Sequence, residues 1–191
     1  MVKNMAKEDI LAKAREDAVN IIEATGVDPL KIYSREIYTI IEKMGYKIRI
    51  YNDDAYVRGY DQNTLYINKR IWHDNIVKNG NTQWYNSYLK LELLFILGLA
   101  LLHTDEKETF TQEKRHAPFV PITNEEVYAT EFAKSVIVCD YTLRTDIDLV
   151  RYHKSYFPSY SDGIRYLARE HKVSVAFIED RMKAYGIGIS V

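Results

Sequence analysis

The segment Leu93–Leu102 constrains this chain more than any other. Its ten residues, Leu-Leu-Phe-Ile-Leu-Gly-Leu-Ala-Leu-Leu, include no polar side chain, and the pattern around them is helical from Trp84 to His103. A helix that is apolar on nearly every side has no face to give to water, so other elements must surround it. The run is about half the length of a membrane span, so it reads as a buried core helix and not as a transmembrane one.

Elements able to surround it are legible on both sides. Residues Lys7–Ala24 put Ile10, Leu11, Ala14, Ala18, Ile21 and Ile22 on one helical face, and Gly26 ends that helix. Asp28-Pro29 offers a cap and a proline start for a second helix, carrying Leu30, Tyr33, Ile37, Ile40 and Ile41 to Met44 and stopping at Gly45. The period then changes to two. Tyr46–Tyr51, Ala55–Tyr60 and Thr64–Asn68 read as strands, the last two joined by a turn at Asp61-Gln-Asn63. Thr123 and Glu126 form a capping box that opens a helix through Val138. Further helices are expected near Thr145–Tyr152, Asp162–Glu170 and Ser174–Tyr185, the last closed by Gly186. The expected architecture is α+β: one mostly helical domain over residues 1–191 with a small three-stranded antiparallel sheet.

Composition narrows the function classes. Lys plus Arg (26) nearly equals Asp plus Glu (27), so no global field draws the protein to nucleic acid or to an anionic membrane. The single cysteine, Cys139, excludes an intramolecular disulfide and any multi-cysteine metal or iron–sulfur site. Met1–Asp9 leads into a charged amphipathic pattern without the apolar stretch of a signal peptide, so a cytoplasmic protein is expected. Sixteen tyrosines are the compositional oddity, half-buried around a core or gathered at an interface.

Three phrases carry a family likeness: Phe95-Ile-Leu-Gly-Leu-Ala-Leu-Leu-His103, Glu126-Val-Tyr-Ala-Thr-Glu-Phe-Ala133 and His171-Lys-Val-Ser-Val-Ala-Phe-Ile-Glu-Asp-Arg-Met182. With the order of elements, they make residues 28–188 resemble an ImmA/IrrE-type metallopeptidase domain. Residues 1–27 would be an added N-terminal helix, and residues 162–188 the family's C-terminal helical pair. The resemblance implies zincin-like core helices and, in the intact family, a zinc centre. A zincin needs two histidines at i and i+4 on one helix face, a glutamate beside the first as general base, and a third ligand from a later helix. On Gly98, the alignment puts Phe95 and Leu99 at the histidine positions, Ile96 at the base and Tyr128 at the third ligand. None of these supplies the family's donors, so no catalytic residue, metal or cofactor is expected. The locus is either filled core or an apolar pocket. None of the five histidines has another within three to five residues, and His103 with Asp105 and Glu106 is at most a loose cluster at a helix end.

The resemblance then implies a domain that acts by binding, with a repressor or another protein of a prophage or mobile element as partner. The polar, proline-bearing stretch Thr104–Pro121 is the expected contact, with Phe110, Phe119 and Val120 as apolar anchors and Lys114 and Arg115 at the rim. Two other classes remain. Residues 162–185 have a helix-turn-helix cadence that fits DNA binding, although Val175-Ala-Phe177 begins the second helix and Glu179-Asp180 follows. The other is a zinc metallopeptidase with unorthodox ligands. Tyr128 with Tyr141 or His103 is a conceivable acid/base pair that nothing in the sequence brings together. Cys139 reads as an inert buried thiol.

Overall fold

The computed structural model describes residues 2, 4–51, 59–69, 85–103, 123–153, 155–157 and 159–188. Seven α-helices and three strands lie among them: α1 (Lys7–Thr25), α2 (Ser34–Lys43), β1 (Lys47–Tyr51), β2 (Gly59–Tyr60), β3 (Thr64–Asn68), α3 (Tyr85–Leu102), α4 (Asn124–Ile137), α5 (Asp140–Tyr152), α6 (Tyr160–Glu170) and α7 (Val175–Ala184). The apolar helix α3 is buried as its composition demands, with Leu93–Ala100 at the centre of one core to which every helix contributes.

Helix α4 is the axis of that core, packed between α3 and α1. Small residues permit both contacts. On the α1 side, Ala14 and Ala18 are fully buried. On the α3 side, Gly98 meets α4 so closely that an added Cβ would stand 3.0 Å from Phe132 Cδ1 and 3.1 Å from Ala129 Cα. The α4 cap is the expected one: Thr123 Oγ1 accepts from the Glu126 N–H at 3.2 Å, and the Glu126 carboxylate accepts from the Thr123 N–H at 3.1 Å. Gly26, at φ +62°, closes α1 in the left-handed region.

Two helix starts differ from the sequence expectation. Asp28-Pro29 opens only a 3₁₀ turn, Pro29–Lys31, in which Asp28 Oδ1 accepts from the Leu30 N–H at 3.0 Å. The chain is extended at Tyr33 before α2 begins, and Glu36 takes the Tyr33 N–H at 3.0 Å. Helix α5 begins at Asp140, a turn before the expected start at Thr145, although Cys139 at its N-cap makes no side-chain capping bond.

The sheet is three-stranded as expected but mixed, not antiparallel throughout. Strand order is β1-β3-β2, with β2 antiparallel to β3 and β1 parallel to it. Of the expected strand Ala55–Tyr60, residues 55–58 lie outside the described residues and Gly59–Tyr60 form β2. Strand β3, with Leu65 and Ile67 fully buried, takes the centre, and β1 pairs with it along five positions from Lys47↔Thr64 to Tyr51↔Asn68.

Candidate functional site

The four positions that the resemblance aligns with a zinc site are core. Phe95, Ile96 and Leu99 on α3 are 3%, 1% and 2% exposed, and Tyr128 on α4 is 1% exposed. The Tyr128 hydroxyl turns to α1 and donates to Asp17 Oδ2 at 2.6 Å; Lys13 Nζ donates to the same oxygen at 2.8 Å. The Tyr128 ring lies nearly parallel to Phe132, 6.1 Å between centroids. Burial, then the hydrogen bond and charge of Asp17, push the Tyr128 hydroxyl far above the ordinary phenol range. A hydroxyl so held is a fixed donor and cannot serve as a base at neutral pH. At this locus all four side chains are buried in the core.

The conceivable acid/base pairs do not form. Tyr141 is 68% exposed on α5. The His103 ring stacks on Tyr60 at 6.1 Å, with Nε2 3.6 Å from Glu125 Oε1. Its expected neighbours Asp105 and Glu106 lie outside the described residues, as do Phe110, Lys114, Arg115, Phe119 and Val120 of the expected partner contact. Among the described residues, no three histidine, cysteine or carboxylate side chains gather as a metal site. Likewise, no described helix is long and apolar enough to cross a membrane. Cys139 is a buried free thiol 3.1 Å from Thr142 Oγ1.

The structure instead concentrates buried charge at residues that carry no such mark in the sequence. Arg181 of α7 is fully buried and grips Glu131 of α4 through two hydrogen bonds, Nη1 to Oε2 at 3.0 Å and Nη2 to Oε1 at 2.8 Å. Arg15 of α1 adds a third, Nε to Oε1 at 2.6 Å. Ser135 accepts from Arg181 Nη2 at 3.2 Å, and the Tyr185 hydroxyl donates to the Val138 carbonyl at 3.0 Å. The Arg181 guanidinium lies over the Tyr185 ring, 4.5 Å from its centroid. Burial pushes the Glu131 carboxyl up, but the Arg181 and Arg15 guanidiniums outweigh it and hold it below the usual carboxylate range. This network ties three helices together and borders a groove of about 460 Å³ lined by Arg15, Glu16, Cys139, Arg144 and Tyr185 among others.

The same network decides how the C-terminal pair is used. Helices α6 and α7 do form a helix-turn-helix, with Ser174 Oγ accepting from the Phe177 N–H at 3.0 Å. Yet α7 turns Ile178, Arg181 and Met182 inward, leaving Ala176, Glu179, Asp180 and Lys183 exposed. Asp180 is also bonded to Lys134 of α4 at 2.8 Å. With Lys134 counted, this outward face carries two carboxylates and two ammoniums, and so offers a phosphate backbone no net positive charge. The arginine that would have tipped the balance is inside. No protein-family model, no curated protein and no solved structure matches the chain.

Proposed function

We propose that this chain is a catalytically silent domain of the ImmA/IrrE type that works in the cytoplasm as a regulator by binding another protein. The partner class, a repressor or another product of a prophage or mobile element, comes from the family resemblance. One observation carries the reading: Phe95, Ile96, Leu99 and Tyr128, at the family's ligand and base positions, are at most 3% exposed in a packed core. A domain with nothing to react with acts through its surface. That surface carries large aromatics suited to a protein contact: Tyr141, Tyr152 and Tyr156 are 68%, 85% and 76% exposed. We assign the primary contact to residues 104–121, with Phe110, Phe119 and Val120 as anchors and Lys114 and Arg115 at the rim. Its place directly after the core helix α3 supports this assignment.

The test starts with the tagged full-length chain. Proteins captured from host cells are identified, purified and rebound to it. The expected result is intact partner, no stoichiometric zinc in chain purified without added metal, and affinity that barely changes with salt. Replacing residues 104–121 by a Gly-Ser linker should abolish binding while leaving the thermal midpoint nearly unchanged. Cleaved partner together with about one zinc per chain would restore the metallopeptidase reading. Steeply salt-dependent DNA binding would restore the DNA-binding one.

A further inference from the structure

Lys90 sits on α3 just before the apolar run and is 1% exposed. Among the described residues its ammonium makes one hydrogen bond, a long one of 3.4 Å to the Ile32 carbonyl. Its next neighbour is the ring of Tyr33, 5.6 Å from Nζ to centroid. A second ammonium approaches that same ring: Lys172 Nζ lies 4.3 Å from the centroid. Lys172 occupies the turn between α6 and α7 at φ +52°, a left-handed conformation that favours glycine or asparagine. Neither lysine has a carboxylate within ion-pairing distance among the described residues. Two cations therefore share one aromatic ring, and one of them is almost wholly out of water.

Burial, and then the like charge of Lys172, lower the Lys90 pKa to about 8, against a smaller opposing pull from Glu36. The free amine is thus a substantial species in mildly alkaline solution. An amine this enclosed is barred to aldehydes and acyl donors, which need an open mouth. Carbon dioxide is different: it is small, uncharged and apolar, so it can reach a packed interior through ordinary fluctuations.

We propose that Lys90 is a carbamylation site, at which its free amine takes up carbon dioxide and the product pairs with the Lys172 ammonium beside Tyr33. The nitrogen lone pair attacks the carbon and forms an N–C bond. One C=O π pair moves onto oxygen, and the nitrogen gives up a proton to solvent. The product is Lys90–NH–COO⁻ plus one proton, with no oxidant or reductant involved. The change replaces a repulsive cation pair by an ion pair. The other charged groups around the site leave that pairing open. Glu36 of α2 already accepts the Tyr33 N–H at 3.0 Å. Asp146 of α5 is bound to His171 Nε2 at 2.7 Å, and with Glu170 it acts on the Tyr33 hydroxyl.

The experiment uses the full chain with ¹³C-labelled bicarbonate near pH 8. The expected result is a carbamate carbon resonance that disappears in Lys90→Met and weakens several-fold in Lys172→Met. Trapping the carbamate as an ester with a trialkyloxonium salt, followed by peptide mass spectrometry, should place it on Lys90. Bicarbonate should also raise the thermal midpoint of wild type and not of Lys90→Met. Methionine keeps the length and apolar body of the side chain, and a melting curve verifies that the variant is folded. The proposal is overturned if no carbamate resonance appears, or if trapping labels only the α-amino group or other lysines. It is equally overturned if formate or chloride shifts the midpoint as much as bicarbonate does, which would mean anion binding alone.

Discussion

Helix α4 has two faces that solve burial in opposite ways. Toward α3 the contact is dry and apolar, with Gly98 against Ala129 and Phe132 and with Phe95, Ile96 and Leu99 filling the surrounding core. Toward α1 and α7 it is ionic, with Glu131 held between Arg15 and Arg181. The apolar face gains stability from each group it removes from water, about 1.5–3 kcal/mol for a large side chain. The ionic face roughly breaks even on desolvation, but it punishes any single loss, because the surviving charge is stranded. One face therefore supplies stability, and the other makes α1, α4 and α7 depend on one another's charges.

The harshest way to probe the comparison is to place two histidines on the dry face. Phe95→His with Leu99→His removes buried apolar volume and inserts two polar rings, for an expected loss of about 5 kcal/mol. Urea unfolding measures it. A loss under about 1 kcal/mol would mean that water already reaches this face.

Next comes the ionic face. Glu131→Ala strands the fully buried Arg181 and should lower stability by about 4 kcal/mol. The double change Glu131→Leu with Arg181→Met should lower it far less, because no charge is left behind. Equal losses from the single and double variants would show that packing, not charge, holds α7.

Lys90 sharpens the contrast, as a buried charge without the partners that Glu131 enjoys. Its folded pKa of about 8 lies below the ordinary 10.5, so between those values the unfolded chain binds more protons. Stability should rise with pH through that window, by at most about 3 kcal/mol. Lys90→Met should flatten that rise and raise stability at neutral pH, as pH-dependent urea melts will show.

The smallest effect belongs to the hydroxyl that joins α1 to α4. Tyr128→Phe removes one hydrogen bond to Asp17 but leaves the Lys13 pair intact, for a loss of about 1 kcal/mol. A much larger loss in thermal or urea melts would make Asp17 dependent on Tyr128 rather than on Lys13.

What the sequence disclosed follows from the range of each interaction. The Thr123–Glu126 capping box and the all-apolar α3 are local patterns, and both appear in the structure as read. The direction of β1 depends on which strand takes the centre, a choice made between segments and not within one. The early start of α5 was hidden because Cys139 gives no side-chain cap. Arg181, beside Asp180 and near Lys183, has the neighbours of a surface residue. Only Glu131, fifty positions earlier, makes it an interior one. Lys90 is hidden in the sequence for a similar reason, since its ring and carbonyl neighbours come from the turn before α2. For the candidate site, the lack of nitrogen and carboxylate donors at positions 95, 96, 99 and 128 is plain from residue types. Whether those side chains filled the space could be decided only by packing.

The parallel pairing of β1 with β3 also sets the loops that the folding chain must close. The antiparallel contact of β2 with β3, from Tyr60↔Leu65 to Gly59↔Tyr66, spans a short loop and can close early. Strand β1 has no such shortcut. Its partners on β3 lie beyond the whole of β2 in sequence, so its pairing closes a longer loop than the hairpin does. The β3 edge that it covers would otherwise be an open row of amide donors and acceptors. The five residues Lys47–Tyr51, with Lys47 and Arg49 as charged guards, are thus the closing strip of the sheet as well as its border.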